Sequence, residues 1–394
     1  MNKVILKENL YKGDNIVPEL MNNKEIKPIA FYLPQFHTIP ENDEAYGKGF
    51  TEWTNVKKAK ALFEGHNQPR VPLNGNYYSL IDEDIMIKQA SLAKRYGIYG
   101  FCYYHYWFKN GKKLLEKPVE AMLKNKAVDM PFCLCWANEN WSKRWDGGNN
   151  EIIVEQDYGG KTEWKKHLEY LIGFFSDERY ITIKGAPLFV VYKPELMPNC
   201  EAWVKFLHEE IKKYGFSDIA VAVQYPKYYL NGYPRDIFDY YIDFEPAYTR
   251  IEEEIANRST RIQSIYKLVR KTPLKRVGIK IYSLFHKNQD NNLEIRDYAQ
   301  DWTTILRRDY SDPKIIPGAF VDWDNTPRNK AGLAYKGASP EEFGNYLSEL
   351  VEVVNKRDEK CFFINAWNEW AEGAYLEPDE KNGYGYLEAI KRIV

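Results

Sequence analysis

The sequence predicts an α/β protein built as a closed parallel (β/α)8 TIM barrel. Three observations predict it. Eight short apolar runs recur along the 394 residues, helical patterns separate several of them, and polar or aromatic side chains follow seven of the eight. Alternation of buried strand and amphipathic helix is the signature of a parallel sheet covered by helices. Polar residues gathered at strand ends match the carboxyl-terminal face on which such barrels carry their chemistry.

The runs are Pro28 to Leu33, Gly97 to Tyr103, Pro131 to Trp136, Pro187 to Tyr192, Ile219 to Gln224, Tyr240 to Phe244, Ile315 to Val321 and Cys361 to Ala366. Between them, Ile85, Gln89, Leu92 and Tyr96 share one helix face, and Gly97 supplies the stop. Trp164 to Phe175, Trp203 to Tyr214, Tyr298 to Leu306 and Phe343 to Val354 follow the same spacing. Ser339-Pro340-Glu341-Glu342 opens the last of these with a cap, an early proline and two acids. A doubly wound open sheet is the alternative. It lacks its usual glycine-rich loop, because Pro34-Gln35-Phe36-His37 follows the first run.

Residues 1–25 read as an N-terminal extension. Residues 26–394 read as one barrel domain with an insertion at about 247–297. Residues 34–82 form a second long connection, long enough to wall the barrel mouth. The formal charge of -1 names no polyanionic partner, and no nucleic acid is expected. That total hides an asymmetry. Residues 255–289 hold nine Lys or Arg and no Asp or Glu, so the remainder sums to -10. Within this insert Ile262, Ile265, Tyr266 and Val269 make an apolar stripe among basic residues. Such a helix suits peripheral contact with an anionic membrane; a solvated insert is the alternative. The five cysteines are scattered, which argues against a disulfide framework. Met1 to Asn23 lacks an apolar signal core, and no run is long enough to span a membrane. The chain therefore reads as cytoplasmic, with the inner-membrane surface as a possible station.

The candidate chemistry follows the last run. Glu369 and Glu372 stand among Trp367, Asn368, Trp370 and Gly373. In a helical turn, residues three apart share a face, about 5–6 Å between Cβ atoms. Two carboxyls that close do not both ionise freely, which yields an acid and a base from one residue type. Their bland reading is a pair of first-turn acids facing a helix dipole. Candidate sugar contacts follow the other runs. They are Tyr32, Gln35 and His37 after the first, with Glu52 and Trp53 in the long connection, and Tyr104 and His105 on the second. Trp136, Asn138, Glu139, Asn140, Trp141 and Asp146 follow the third. Gln224, Glu245, Asp322, Trp323, Asn325, Arg328, Trp367 and Asn368 complete the set. The tryptophans suit sugar faces or core packing equally. Asp322-Trp323-Asp324 matches the Asp-x-Asp pattern that holds a metal diphosphate, but a sugar contact by Asp322 is the expectation. No metal and no cofactor is expected.

Phe31-Tyr32-Leu33-Pro34-Gln35-Phe36-His37, Gly49-Phe50-Thr51-Glu52-Trp53, Trp136-Ala137-Asn138-Glu139-Asn140-Trp141, Asp322-Trp323-Asp324-Asn325-Thr326-Pro327-Arg328 and Trp367-Asn368-Glu369-Trp370-Ala371-Glu372-Gly373 together resemble the WbsX-type glycosyltransferases. That family is similar to glycoside hydrolase family 99, the endo-acting α-mannosidases. The resemblance runs from about Ile26 nearly to the C-terminus and implies the same barrel. It also implies retaining chemistry at an α-mannose-like bond. Glu369 would be the base that deprotonates the sugar's own 2-hydroxyl, and Glu372 the acid/base. It further implies a role in bacterial surface-polysaccharide (O-antigen or capsule) synthesis on a glycan or lipid-linked oligosaccharide. Endo-acting hydrolysis is the second reading, and a non-catalytic glycan-binding barrel the third.

Overall fold

A computed structural model describes residues 25–143, 151–224, 236–256 and 293–394. Residues 257–292, which hold nearly all of the basic 255–289 segment, the N-terminal extension up to residue 24, and Asp146 lie outside the described residues.

Eight strands form one parallel cylinder. They are β1 (Lys27–Tyr32), β2 (Gly100–Trp107), β3 (Phe132–Trp136), β4 (Ala186–Val191), β5 (Ala220–Val223), β6 (Tyr240–Ile242), β7 (Ile315–Ile316 and Gly318–Phe320) and β8 (Cys361–Asn365). Each predicted run overlaps one of them. The cylinder closes through β7, which changes partner at Pro317. Ile315 pairs with Tyr241 of β6, whereas Ala319 pairs with Ile364 of β8. Proline donates no backbone hydrogen bond, so the ladder breaks naturally there. Gly318 makes the crossover possible. A Cβ at that position would sit 1.7 Å from the Asp243 carbonyl oxygen. Ala30 pairs with Ile364 and Phe101, which joins β8 to β1 and β1 to β2.

Among the described residues the main helices are α1 (Pro40–Tyr46), α2 (Glu52–Lys58), α3 (Glu83–Arg95), α4 (Glu116–Lys124), α5 (Lys161–Phe175), α6 (Cys200–Glu210), α7 (Tyr298–Leu306), α8 (Pro340–Asn355) and α9 (Gly385–Lys391), with a further helical stretch over 247–256. The sequence marks α3, α5, α6, α7 and α8 by their apolar spacing. α8 buries Phe343, Leu347, Leu350, Val351 and Val354, and Ser339 Oγ accepts from the Glu342 amide at its start. The seven-residue helices α1, α2 and α9 carry too few turns to show a period, while α4, as long as α7, buries Val119 and Met122 but is not singled out in the sequence. No helix among the described residues is long and apolar enough to cross a membrane.

The strand period decides what enters the barrel. On β1, Phe31 faces inward against Tyr104, Phe244 and Phe363. Tyr32 faces outward, packs on Phe101 and Tyr103, and donates to Gln89 Oε1 of α3 at 2.6 Å. Successive strand residues point to opposite faces, so Phe31 and Tyr32 cannot share the interior.

Candidate active site

A cavity of about 330 Å³ opens at the carboxyl end of the barrel. Leu33 and Gln35 follow β1, and β2 supplies Tyr104 and Tyr106. Ala137, Glu139, Asn140, Trp141 and Ser142 follow β3, and Tyr192 follows β4. Phe244 and Ala247 follow β6, Trp323 and Arg328 follow β7, and Glu369 and Glu372 follow β8.

The two glutamates are set by one turn of 3-10 helix over Trp370–Glu372, with Glu369 at its N-cap. Glu369 precedes the turn and Glu372 ends it, and both line the same cavity. Gly373 ends the turn at φ 65°, where a Cβ would lie 2.9 Å from the Arg70 guanidinium. Only glycine fits both that backbone and that contact.

Arg328 lies among three carboxylates. Its Nη1 pairs with Glu372, and its Nη2 lies 2.6 Å from Glu52 Oε1 and 3.5 Å from Glu369 Oε2. Burial raises the Glu369 carboxyl well above its ordinary range, and the neighbouring Glu372 adds to the rise. Burial also raises Glu372, against the pull of Arg328. One guanidinium shared by three carboxyls does not offset them all, which disfavours full ionisation of the cluster. Glu52 is wholly buried and does not line the cavity; it stands behind Arg328.

Other polar side chains line the cavity. Gln35 Nε2 donates to the Tyr106 hydroxyl at 2.6 Å, while its Oε1 is buried without a hydrogen bond. Trp323 Nε1 is likewise buried without an acceptor. Glu139 lines the wall and pairs with Lys193 at 2.7 Å. Asn140 and Trp141 line it while anchored to the Gln156 amide and to Asn42 Oδ1. Tyr104 accepts from Gln224 Nε2 at 2.7 Å.

Several expected sugar contacts stand elsewhere. His105 and Trp136 share the outward face of their strands. His105 meets His167 of α5 at 2.9 Å, and Trp136 packs on His167 and Trp203. Burial holds the His105 imidazole down, to about 3, so it stays neutral. Tyr32 is buried against α3. His37 lies in a different hollow beside Thr38 and Trp53, and burial lowers it to about 4. Trp53 packs on Phe36 and Trp370. Trp367 is buried against Phe101.

Two asparagines stitch the barrel rim. Asn368 accepts from the Leu33 amide at 2.7 Å and donates to the Leu33 carbonyl at 3.1 Å. Asn138 does the same to Lys193, at 2.7 and 2.8 Å. A primary amide reproduces the pairing pattern of a strand, so each extends the ladder past the last strand residue. Gln224 is buried behind Tyr104, with Cys135 Sγ on its Oε1. Glu245 turns to Arg308 at 2.7 Å rather than to the cavity. Asn325 holds a turn by accepting from the Leu333 amide at 2.8 Å.

The Asp-x-Asp motif is already engaged. Asp322 pairs with Arg70 at 2.8 Å, and Asp324 Oδ2 takes His66 Nε2 at 2.8 Å and Gln68 Nε2 at 2.7 Å. The Asp324 amide donates to the Glu372 carbonyl at 2.7 Å. The motif therefore straps the long 34–82 connection to the turn that carries Glu372. Asp322 does not line the cavity.

Tyr106, Tyr192, Phe244 and Ser142 line the cavity although the sequence pattern does not single them out. Counting by two from Tyr104 gives Tyr106, and Tyr192 closes the fourth apolar run. Glu377 supports the site from below. It accepts from Trp370 Nε1 at 2.7 Å, Tyr78 at 2.8 Å and Gln89 Nε2 at 2.6 Å. Burial pushes this carboxyl up to about 7 despite those donors. The folded state thus holds a proton that the unfolded chain releases near the ordinary value of 4.5. Its contribution is complete below 4.5 and fades as pH rises to about 7. Thermal melts at pH 5 and pH 8 should show the wild type losing stability on the order of 3 kcal/mol through this group, and Glu377→Gln losing that part of the slope.

A family model described as Glycosyltransferase WbsX matches residues 28–390. The chain belongs to the WbsX glycosyltransferase family. This WbsX chain is 36% identical over 375 residues to an uncharacterized protein WxcX of Xanthomonas campestris pv. campestris, covering 93% of the chain and 49% of that protein. WxcX of strain B100 is 36% identical over 377 residues, with the same coverage. The chain spans about half the length of these curated relatives. Among solved structures, a GH99 endo-alpha-mannosidase from Bacteroides thetaiotaomicron in complex with BIS-TRIS-propane superposes with a TM-score of 0.52 at 13% identity, over 92% of this chain and 94% of that one. A glycoside hydrolase-like protein gives 0.54 at 12% identity, over 98% of both chains. These likenesses place the WbsX chain in the same barrel fold, and its family is one of carbohydrate-active enzymes.

Proposed function

We propose that the chain makes or rearranges α-mannose-like glycosidic bonds during bacterial surface-polysaccharide synthesis, with Glu369 and Glu372 as its acid–base pair. The observation that carries this reading is the cavity at the strand ends, where both glutamates share Arg328 and both carboxyls are raised. Raised carboxyls are what proton exchange near neutrality requires.

Glu369 takes the proton of the sugar's 2-hydroxyl, and that oxygen attacks the anomeric carbon. The bond to the leaving oxygen breaks as Glu372 gives that oxygen its proton. The acceptor hydroxyl then loses its proton to Glu372 and attacks the same carbon. The 1,2-anhydro ring opens, and O2 recovers its proton from Glu369. Two inversions give net retention. Both carboxyls are raised, mainly by burial. A sugar hydroxyl donating to Glu369 favours its ionised form, and a glycosidic oxygen accepting from Glu372 favours the proton there. Substrate thus draws the proton to the residue that must deliver it.

The acceptor separates the two readings. Transfer uses a sugar hydroxyl, and hydrolysis uses water. The Bacteroides neighbour is an endo-alpha-mannosidase, which favours hydrolysis by analogy of fold. Engagement of Asp322 and Asp324 with Arg70, His66 and Gln68 speaks against their holding a metal diphosphate. Incubation with mannose-containing oligosaccharides, with and without nucleotide sugars, tests the proposal. Longer products formed from the oligosaccharide donor support transfer, and shorter ones with incorporated water support hydrolysis. No product from any α-mannoside sinks both.

A further inference from the structure

Glu52 is a buried acid beside the glutamate pair that the proposed chemistry does not use. It opens α2, 276 positions from Arg328 in sequence. Its side chain is fully excluded from solvent, and its Oε1 lies 2.6 Å from Arg328 Nη2. That same nitrogen is the one facing Glu369, at 3.5 Å. Nη1 is committed to Glu372. A guanidinium is a rigid planar fork, so fixing one nitrogen fixes the other. We propose that Glu52 is a positioning residue for the acid–base pair: it holds the Arg328 fork in the plane that reaches both Glu369 and Glu372 and so sets how the pair shares its proton.

The placement of α2 makes this a built feature. Thr51 and Thr54 close a capping box at its start, which fixes the first-turn Glu52. Trp53, the next residue, packs against Trp370 between the two glutamates, with ring centroids 5.4 Å apart. α2 and the catalytic turn thus move together. The charged and titratable groups facing the cluster are few. Arg328, Glu369 and Glu372 form it, and the Tyr106 and Tyr104 phenols from β2 abut it; both phenols are raised mainly by burial. The negative charge of Glu52 opposes ionisation of both glutamates.

The proposal rests on the acid–base reading of Glu369 and Glu372, but its test needs no substrate. Glutamate labelled with ¹³C at the side-chain carboxyl is titrated by NMR in the full chain, with the two resonances assigned through Glu369→Gln and Glu372→Gln. In Glu52→Gln, which keeps an oxygen for Arg328, the midpoints of both carboxyls should fall by about one pH unit. In Glu52→Asp, the shortened side chain draws the fork back from Glu369, and the Glu369 midpoint should rise. Opposite displacements are the expected signature. Loss of the charge alone lowers both midpoints in Glu52→Gln, so Glu52→Asp decides: a Glu369 midpoint unchanged in that folded variant would overturn the proposal and reduce Glu52 to a counter-charge. If the midpoints shift while no α-mannoside is turned over at any pH, the functional reading fails and the role of Glu52 stands.

Discussion

Glu369→Gln and Glu372→Gln are each expected to cut turnover of an α-mannoside by about 10²–10⁴-fold, the usual range for a lost acid or base. The two losses should differ in kind. Glu372 gives a proton to the leaving oxygen, so a leaving group that needs none restores the first step. A dinitrophenyl α-mannoside should therefore rescue bond cleavage in Glu372→Gln. It should not rescue Glu369→Gln, where the base for the 2-hydroxyl is missing. Both variants should stay folded. Each removes one raised carboxyl from a buried cluster with a single guanidinium, which relieves repulsion. Equal rescue of both variants would contradict the division of roles.

Arg328→Ala should have the largest effect on stability. It leaves Glu52 buried without its cation and removes the partner of Glu369 and Glu372. Breaking a buried ion pair from one side costs about 3–5 kcal/mol. With an unfolding entropy of about 2.1 cal/mol/K per residue, the melting temperature should fall by about 4–6 °C. The loss should depend on pH in a definite sense. Glu369 and Glu372 are raised in the folded state, so the fold binds their protons more tightly than the unfolded chain does. Their favourable contribution is complete below the ordinary value near 4.5 and disappears as pH climbs through the folded values. Without Arg328 those values rise further. The variant should approach wild-type stability in acid and diverge from it towards neutral pH. A melting difference independent of pH would mean that Arg328 acts by packing alone.

The barrel is legible in the sequence because each strand is a short apolar run with its own turn signals. Even the split strand reads as one run, since Pro317 interrupts pairing without interrupting hydrophobicity. The turn of Glu369 and Glu372 is legible from its three-residue spacing. The faces of the strands are legible in principle. Tyr104 and His105, being adjacent, cannot both enter the barrel, and selecting both includes one outward residue in each such pair. Trp136 and Tyr32 fall to the same rule. The roles of Asn138 and Asn368 are not legible, because an amide that mimics a strand looks like an amide that holds a sugar. Nor is the Arg328 cluster, whose members come from three distant loops. No local pattern announces that Asp322 faces Arg70 across the fold.

The most direct test is a crystal structure with a mannose-configured imino sugar. The ring should sit in the strand-end cavity beside Trp323 and Tyr104, its anomeric position within hydrogen-bonding reach of both Glu369 and Glu372. A ligand seated elsewhere, or the two carboxyls parted from each other and from Arg328, would contradict the assignment.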